Sequence, residues 1–224
     1  MTRTQPRIAS LLLAAGLLVA PMLAASPTSV ASAAEDDECF GERPTIRGTG
    51  FIFGTDGDDV IIGHNGEDVI SGGGGNDKIC GGDGSDVIDG GDGNDEIDGG
   101  DGNDVIFGGD GNDKIYGRDG NDRLFGGDGD DKLYGNGGDD LLVGDGNKDE
   151  LVGGSGNDTL MGGEQNDKLT GGDGDDVLNG GPGDDRLEGG DGDDQLNGAE
   201  GNDRCIGGES TDTQTNCETV ESIP

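Results

Sequence analysis

The stretch Gly90–Asp98 reads GGDGNDEID, and the next two stretches of nine residues read GGDGNDVIF and GGDGNDKIY. Each unit has glycine at positions 1, 2 and 4, aspartate at position 6 and isoleucine at position 8. Glycine loses more backbone freedom on folding than any other residue, and neighbouring carboxylates repel each other. One isolated unit is therefore predicted to be disordered. The repetition of the unit must supply interactions that offset the lost backbone entropy and the repulsion between carboxylates.

The unit repeats without insertion or deletion from Gly54 to Ile206, which makes 17 consecutive nonamers. Every nonamer has glycine at position 1 and aspartate at position 6, and position 8 is isoleucine, then leucine, and finally Cys205. The chain has a formal net charge of −37 and is only 28% hydrophobic, a composition that without this order is typical of disordered chains. The position-6 aspartates are Asp59, Asp68, Asp77, Asp86, Asp95, Asp104, Asp113, Asp122, Asp131, Asp140, Asp149, Asp158, Asp167, Asp176, Asp185, Asp194 and Asp203.

The nonamer predicts an all-β fold, a right-handed parallel β-roll (solenoid) of about 17 repeats. Positions 7 to 9 are predicted to form a three-residue strand that sends position 8 to one face and positions 7 and 9 to the other. Positions 1 to 6 are predicted to form the turn, with glycine where the backbone needs a positive φ or a close approach. Odd repeats then stack into one sheet and even repeats into a second, with the position-8 side chains as a thin core between them.

The register of the aspartates indicates a metal site rather than a solvated acidic linker, because a linker requires no fixed position. Stacked turns bring the position-6 carboxylates of repeats n and n+2 to within about 4.8 Å. Calcium accepts six to eight oxygen ligands from carboxylates and backbone carbonyls, whereas magnesium needs strict octahedral geometry. We therefore expect up to about 15 Ca²⁺ ions, one for each pair of stacked turns, and Asp212 in the degenerate unit Gly207–Thr215 could add one more.

The pattern G-G-x-G-x-D-x-U-x resembles the calcium-binding nonapeptide of RTX (repeats-in-toxin, hemolysin-type) proteins, here of a secreted actinobacterial type without a catalytic domain. The resemblance covers Gly54–Ile206 and implies a β-roll that uses Ca²⁺ as its cofactor. Two nonamers lack glycine at position 4, where Asn147 and Gln165 stand instead. Asparagine tolerates a positive φ better than glutamine, and we expect the calcium sites at these two turns to be the weakest.

Short caps are predicted at both ends, because a solenoid exposes its core and its strand edges there. Residues 34–53 form the N-terminal cap, with Thr45–Phe53 as a decayed repeat, and residues 207–224 form the C-terminal cap. Cys80 and Cys205 lie about seven turns, roughly 34 Å, apart, so each end must pair its cysteines locally. This predicts disulfides Cys39–Cys80 and Cys205–Cys217, and the absence of CxxC spacing and of a nearby histidine disfavours a zinc site.

Residues 1–33 are predicted to be a signal peptide, with Arg3 and Arg7 before an apolar run and an A-x-A site at Ala31–Ala33. Cleavage is expected after Ala33 or Ala34, and the mature protein is expected to be secreted, with no membrane span. Its strong negative charge disfavours nucleic acid as a partner.

Nothing in the repeats indicates an enzyme. The single histidine, His64, lies at a turn position, and each carboxylate pair that could imitate a glycosidase dyad is better explained as metal ligation. We therefore predict a non-enzymatic calcium-binding protein; the alternative is a surface or matrix adhesin, or an ice-binding module, that uses the roll as a rigid scaffold. Position 9 adds a stripe formed by Phe107, Tyr116, Phe125 and Tyr134, interpreted either as ladder stacking or as a contact surface for a protein or surface partner.

Overall fold

The computed structural model describes residues 38–221, in which the chain forms β-strands and turns and no helix. The chain divides into the units Met1–Glu35 and Asp36–Pro224, and the described residues belong to the second. The predicted signal peptide, residues 1–33, and its cleavage sites lie outside the described residues, as do the last three residues of the C-terminal cap.

The strands form two sheets, and strands that are consecutive in the chain alternate between them. The eleven-stranded sheet contains β1 (Ile46–Arg47), β3 (Val60–Asn65), β5 (Lys78–Asp83), β7 (Glu96–Asp101), β9 (Lys114–Asp119), β11 (Lys132–Gly137), β13 (Glu150–Ser155), β15 (Lys168–Asp173), β17 (Arg186–Asp191), β19 (Arg204–Glu209) and β21 (Thr219–Glu221). The ten-stranded sheet contains β2 (Phe51–Phe53), β4 (Val69–Gly74), β6 (Val87–Asp92), β8 (Val105–Asp110), β10 (Arg123–Asp128), β12 (Leu141–Gly146), β14 (Thr159–Gly163), β16 (Val177–Pro182), β18 (Gln195–Glu200) and β20 (Thr213–Thr215).

All pairings within the sheets are parallel, and through the roll each strand is in register with the strand 18 residues away. Leu124, for example, lies opposite Ile106 on one side and Leu142 on the other. This confirms the predicted all-β parallel solenoid with odd and even repeats in separate sheets. The predicted number of repeats, about 17, is higher than the number of turns in the structure, which is about nine. The prediction counted nonamers, and two nonamers make one turn. The right-handed winding stays a prediction.

The strands are longer than the predicted three residues. Most span six residues, from position 7 of one nonamer to position 3 of the next. The parallel register continues through the glycine-rich part, where Gly109 lies opposite Gly127 and Asp110 opposite Asp128. Because every turn repeats the one below it, the equivalent residues of positions 2 and 3 also come into register, and only positions 4 to 6 remain as the corner.

The core is the single column of position-8 side chains, as predicted. From Ile61 to Cys205 every member is at most 1% exposed, and Ile52 of the decayed repeat extends the column at the N-terminal end. The interior therefore contains one large side chain per nonamer. This small core is the reason that the fold needs another source of stabilisation.

Disulfides Cys39–Cys80 and Cys205–Cys217 are both present, each with a Cα–Cα distance of 5.9 Å. Cys39 packs with Val60 and Ile62, which occupy positions 7 and 9 of the first nonamer and therefore lie on the outer face of the eleven-stranded sheet. The segment around Cys39 thus covers the outside of the first strands, while β1 and β2 complete the terminal turn.

Candidate metal centre

The position-6 aspartates form two buried ladders, one along the odd repeats and one along the even repeats. All of them are at most 8% exposed. Along each ladder, the backbone N–H of one aspartate donates to Oδ1 of the aspartate 18 residues later, as from Asp113 to Asp131 at 2.7 Å. The stacking of turns n and n+2 thus brings together the residues that the sequence pattern singles out.

The second carboxylate oxygen, Oδ2, is buried without a hydrogen-bond partner in fifteen of these aspartates. A buried carboxylate oxygen without a partner is costly, and the cost grows when the group is charged. Burial, supplemented by the charges of neighbouring carboxylates, accordingly raises the pKa of Asp113 to about 7 and that of Asp131 to about 6, against the lowering effect of the backbone N–H bond. The fifteen are Asp77, Asp86, Asp95, Asp104, Asp113, Asp122, Asp131, Asp140, Asp149, Asp158, Asp167, Asp176, Asp185, Asp194 and Asp203.

The glycine at position 1 makes room for these oxygens. A Cβ added to Gly108 would lie 2.3 Å from Oδ2 of Asp113 and 2.6 Å from the carbonyl oxygen of Gly126 in the next turn. A carboxylate oxygen and a backbone carbonyl therefore border the same small space. Oxygen donors of these two kinds are the ligands that calcium prefers.

Carbonyl groups are essential to such a site. Within the described residues, no group of three or more histidine, cysteine, aspartate or glutamate side chains is placed to hold a metal. A cation in the ladder would therefore take its ligands from stacked aspartates and from the turn backbone, which fits calcium and not the softer metals that select sulfur or imidazole.

Replacing Gly108 by alanine is expected to destabilise the calcium-loaded protein by about 1–3 kcal/mol, the usual cost of overpacking a tight interior. The added methyl group would press on Oδ2 of Asp113 and on the Gly126 carbonyl together. Gly146→Ala is the matched control, because its nearest heavy atom would be 4.0 Å away. Urea unfolding in saturating calcium measures both variants, and equal midpoints would contradict the proposed contact.

Position 4 has a positive φ in most nonamers, and the two residues that replace glycine there also adopt it. Asn147 has φ 74° and Gln165 has φ 77°, so glutamine takes the same conformation as asparagine. The two residues lie in successive turns, and Nε2 of Gln165 donates to Oδ1 of Asn147 at 2.8 Å. Weaker calcium binding at these turns stays a prediction.

The first two aspartates of the ladders have protein partners on both oxygens. Asp59 accepts hydrogen bonds from the Thr45 hydroxyl at 3.0 Å and from the Thr55 N–H and hydroxyl at 2.9 and 2.8 Å. Burial alone would raise the pKa of Asp59, but these hydrogen bonds outweigh it and the pKa is lowered. Asp68 accepts from the backbone N–H groups of Gly50 and His64. The N-terminal end is thus satisfied by protein groups.

At the C-terminal end of the ladders, a glutamate outside the nonamers replaces an aspartate as hydrogen-bond acceptor. The backbone N–H of Asp203 donates to Oε2 of Glu218 at 2.5 Å, so a glutamate beyond the last nonamer takes the place of the next aspartate in the ladder. The repeat pattern does not reveal Thr45, Thr55 or Glu218, because two of them lie outside the nonamers and Thr55 replaces the usual glycine at position 2.

Position 5 carries a second, exposed ladder that the sequence reasoning missed. The backbone N–H of Asn112 donates to Oδ1 of Asn94 at 2.8 Å, and that of Asp130 donates to Oδ1 of Asn112 at 2.9 Å. The signal was present in the sequence, since position 5 is asparagine or aspartate in most nonamers. These bonds hold the corners of successive turns in line.

The sequence comparison agrees with this geometry. The family model described as RTX calcium-binding nonapeptide repeat (4 copies) matches residues 47–79, 81–115, 116–151, 152–187 and 179–214. The chain belongs to the RTX calcium-binding nonapeptide repeat family. RTX nonapeptide repeats bind Ca²⁺, and the buried aspartate ladders are consistent with calcium-binding turns. No curated protein matches this RTX chain.

Proposed function

We propose that this RTX protein is a secreted, non-enzymatic β-roll that folds when it binds several Ca²⁺ ions. One observation carries the proposal: fifteen buried carboxylates, stacked turn upon turn, each keep an oxygen without a partner. Stacked anions repel unless a cation lies between them. Calcium would neutralise this charge and cross-link successive turns.

The proposed ligands are the position-6 aspartates together with carbonyl oxygens of the turns. The unpartnered Oδ2 atoms begin at Asp77 and end at Asp203, which supports up to about 15 ions between stacked turns. Asp59 and Asp68 stay predicted ligands, but their carboxylate oxygens already accept hydrogen bonds from protein groups, unlike the fifteen unpartnered Oδ2 atoms.

The small core supports the dependence on calcium. Each nonamer buries one aliphatic side chain, whose transfer from water contributes far less than the entropy lost in ordering nine residues. Binding of a ligand to the folded state alone shifts the equilibrium toward that state. Without calcium, we expect an expanded, self-repelling chain.

The proposal includes two further components, secretion of the protein and the absence of catalytic activity. The apolar run and A-x-A site near the N-terminus support export, and two disulfides suit an oxidising compartment. Among residues 38–221, no helix is long and apolar enough to cross a bilayer. The non-enzymatic role is supported by the aspartate ladders, because stacking in a ladder and calcium ligation explain the paired carboxylates without a catalytic role.

Calcium titration of the protein without residues 1–33 tests the proposal. In EDTA at neutral pH we expect no strand signal in circular dichroism, and calcium is expected to restore it together with about 15 bound ions in native mass spectrometry. Magnesium at equal ionic strength is the control and is expected to leave the chain unfolded. A full strand signal in EDTA, or only one or two bound ions, would overturn the proposal.

A further inference from the structure

Position 7 follows a period of 18 residues, whereas the core and the metal ladders repeat every nine. Neither burial of position 8 nor ligation by position 6 requires odd and even nonamers to differ. In the odd nonamers from the third onward, position 7 is always charged: Lys78, Glu96, Lys114, Lys132, Glu150, Lys168, Arg186 and Arg204. In the even nonamers it is mostly uncharged: Val69, Val87, Val105, Arg123, Leu141, Thr159, Val177 and Gln195.

The two sheets place these residues on opposite outer surfaces. Even nonamers supply the ten-stranded sheet, where positions 7 and 9 point away from the core and form a continuous apolar face across β2 to β16. On this face Phe51, Phe53, Met161 and Val177 are 51%, 54%, 44% and 40% exposed. The apolar face consists of Phe51, Phe53, Val69, Val87, Val105, Phe107, Phe125, Leu141, Val143, Met161 and Val177.

The apolar face is also nearly free of exposed charge, in a chain of net charge −37. Between its two ends, positions 7 and 9 include only Arg123, which is exposed, and Asp89, which is 5% exposed. The eleven-stranded sheet instead carries ion pairs such as Lys168–Glu150 at 2.6 Å and Lys114–Glu96 at 3.4 Å. An apolar surface of this extent marks a contact site more often than it marks a solvated face.

The aromatic rings on the apolar face do not form a platform for a flat ligand. Phe107 and Phe125 stack on each other with ring centroids 4.9 Å apart and an interplanar angle of 10°. Their faces are therefore directed at each other along the roll. A partner would meet ring edges and aliphatic side chains, which favours sheet-on-sheet packing over the stacking of a planar ring.

We propose that two copies of this chain pair through their apolar faces, one ten-stranded sheet on the other. A second copy offers a surface of the same length, flatness and chemistry, and packed sheets lie about 10 Å apart. Eight strands at about 4.8 Å and roughly 10–15 Å of width bury several hundred Å² on each copy, which fits a small, reversible interface. This face is also the one on which two strongly acidic chains meet with little opposing charge.

Sedimentation velocity in saturating calcium tests the pairing, which rests on the proposed function because only the folded roll presents the face. The mass of the protein without residues 1–33 is expected to rise toward that of a dimer as concentration increases. Met161→Glu and Phe53→Glu, both at exposed positions, are expected to weaken dimerisation about tenfold or more, because the charges would face each other. Val152→Glu, at position 9 of the other sheet, is the matched control and should pair as the unmodified chain does.

Circular dichroism of the same samples separates the two proposals. A calcium-saturated chain that shows strand signal but stays monomeric at every concentration overturns the pairing alone. Equal loss of dimer in Val152→Glu and Met161→Glu assigns contact to the other sheet as well and also overturns it. A chain without strand signal in calcium overturns the proposed function and the pairing together.

Discussion

Replacing Asp131 by asparagine is expected to remove one or two of the bound calcium ions and to raise, several-fold, the calcium concentration at which the chain folds. Asparagine keeps an oxygen that can accept the Asp113 N–H at the Oδ1 position. It loses the negative charge that the unpartnered Oδ2 of Asp131 offers to a cation. The effect is expected to be large because Asp131 lies in the middle of its ladder, where a cation on either side uses it.

The neighbouring residue supplies a control with the same change of charge. Asp130 is exposed at position 5, where its Oδ1 accepts the Lys148 N–H at 3.2 Å, and asparagine occupies this position in many other nonamers. Asp130→Asn is therefore expected to keep both the ion count and the midpoint. Native mass spectrometry and calcium-titrated circular dichroism measure the pair, and similar results for the two variants would show that net charge, not the ladder, controls folding.

Much of this architecture could be predicted from sequence because its determinants are strictly periodic. Ile97 and Leu124 occupy the same position of different nonamers, so one argument about alternation placed the whole core column. Cys80 and Cys205 lie too far apart along such a stack to bond, which left the two local disulfides that the structure contains. Regular stacking converts a spacing in sequence directly into a distance.

The features that the sequence did not predict depend on contacts that the nine-residue repeat does not specify. The strands reach position 3 because the turn glycines fall into register as well, as Gly109 does with Gly127. The hydroxyl of Thr45 meets Asp59 from outside the nonamers, so no count of repeats could reveal this pair. The sequence places Phe53 and Met161 on the outside of one sheet, but their exposed fractions of 54% and 44% depend on the packing around them.

Acid is expected to replace calcium in part and to promote folding of the calcium-free chain. Burial raises the pKa of Asp113 and of Asp140 to about 7, whereas the pKa of an aspartate in the unfolded chain is near 3.8. Between these values the folded state binds more protons than the unfolded state, so the stability of the calcium-free roll falls as pH rises. Protonation also removes the repulsion between stacked carboxylates and lets each Oδ2 act as a hydroxyl donor.

Circular dichroism in calcium-depleted buffer measures this effect between about pH 8 and pH 4, a window set by the folded and unfolded pKa values. Strand signal is expected to be absent at the upper end and to increase as pH falls through the range of about 6 to 7 in which the buried aspartates titrate. The same linkage makes calcium bind more weakly in acid, since an ion must displace the protons, and binding near neutral pH should release protons. Asp131→Asn provides the internal control, because it removes one titrating group and should reduce the proton release without reversing its direction. A calcium-free chain whose strand signal is independent of pH, or increases toward pH 8, would show that carboxylate repulsion is not what keeps the roll unfolded.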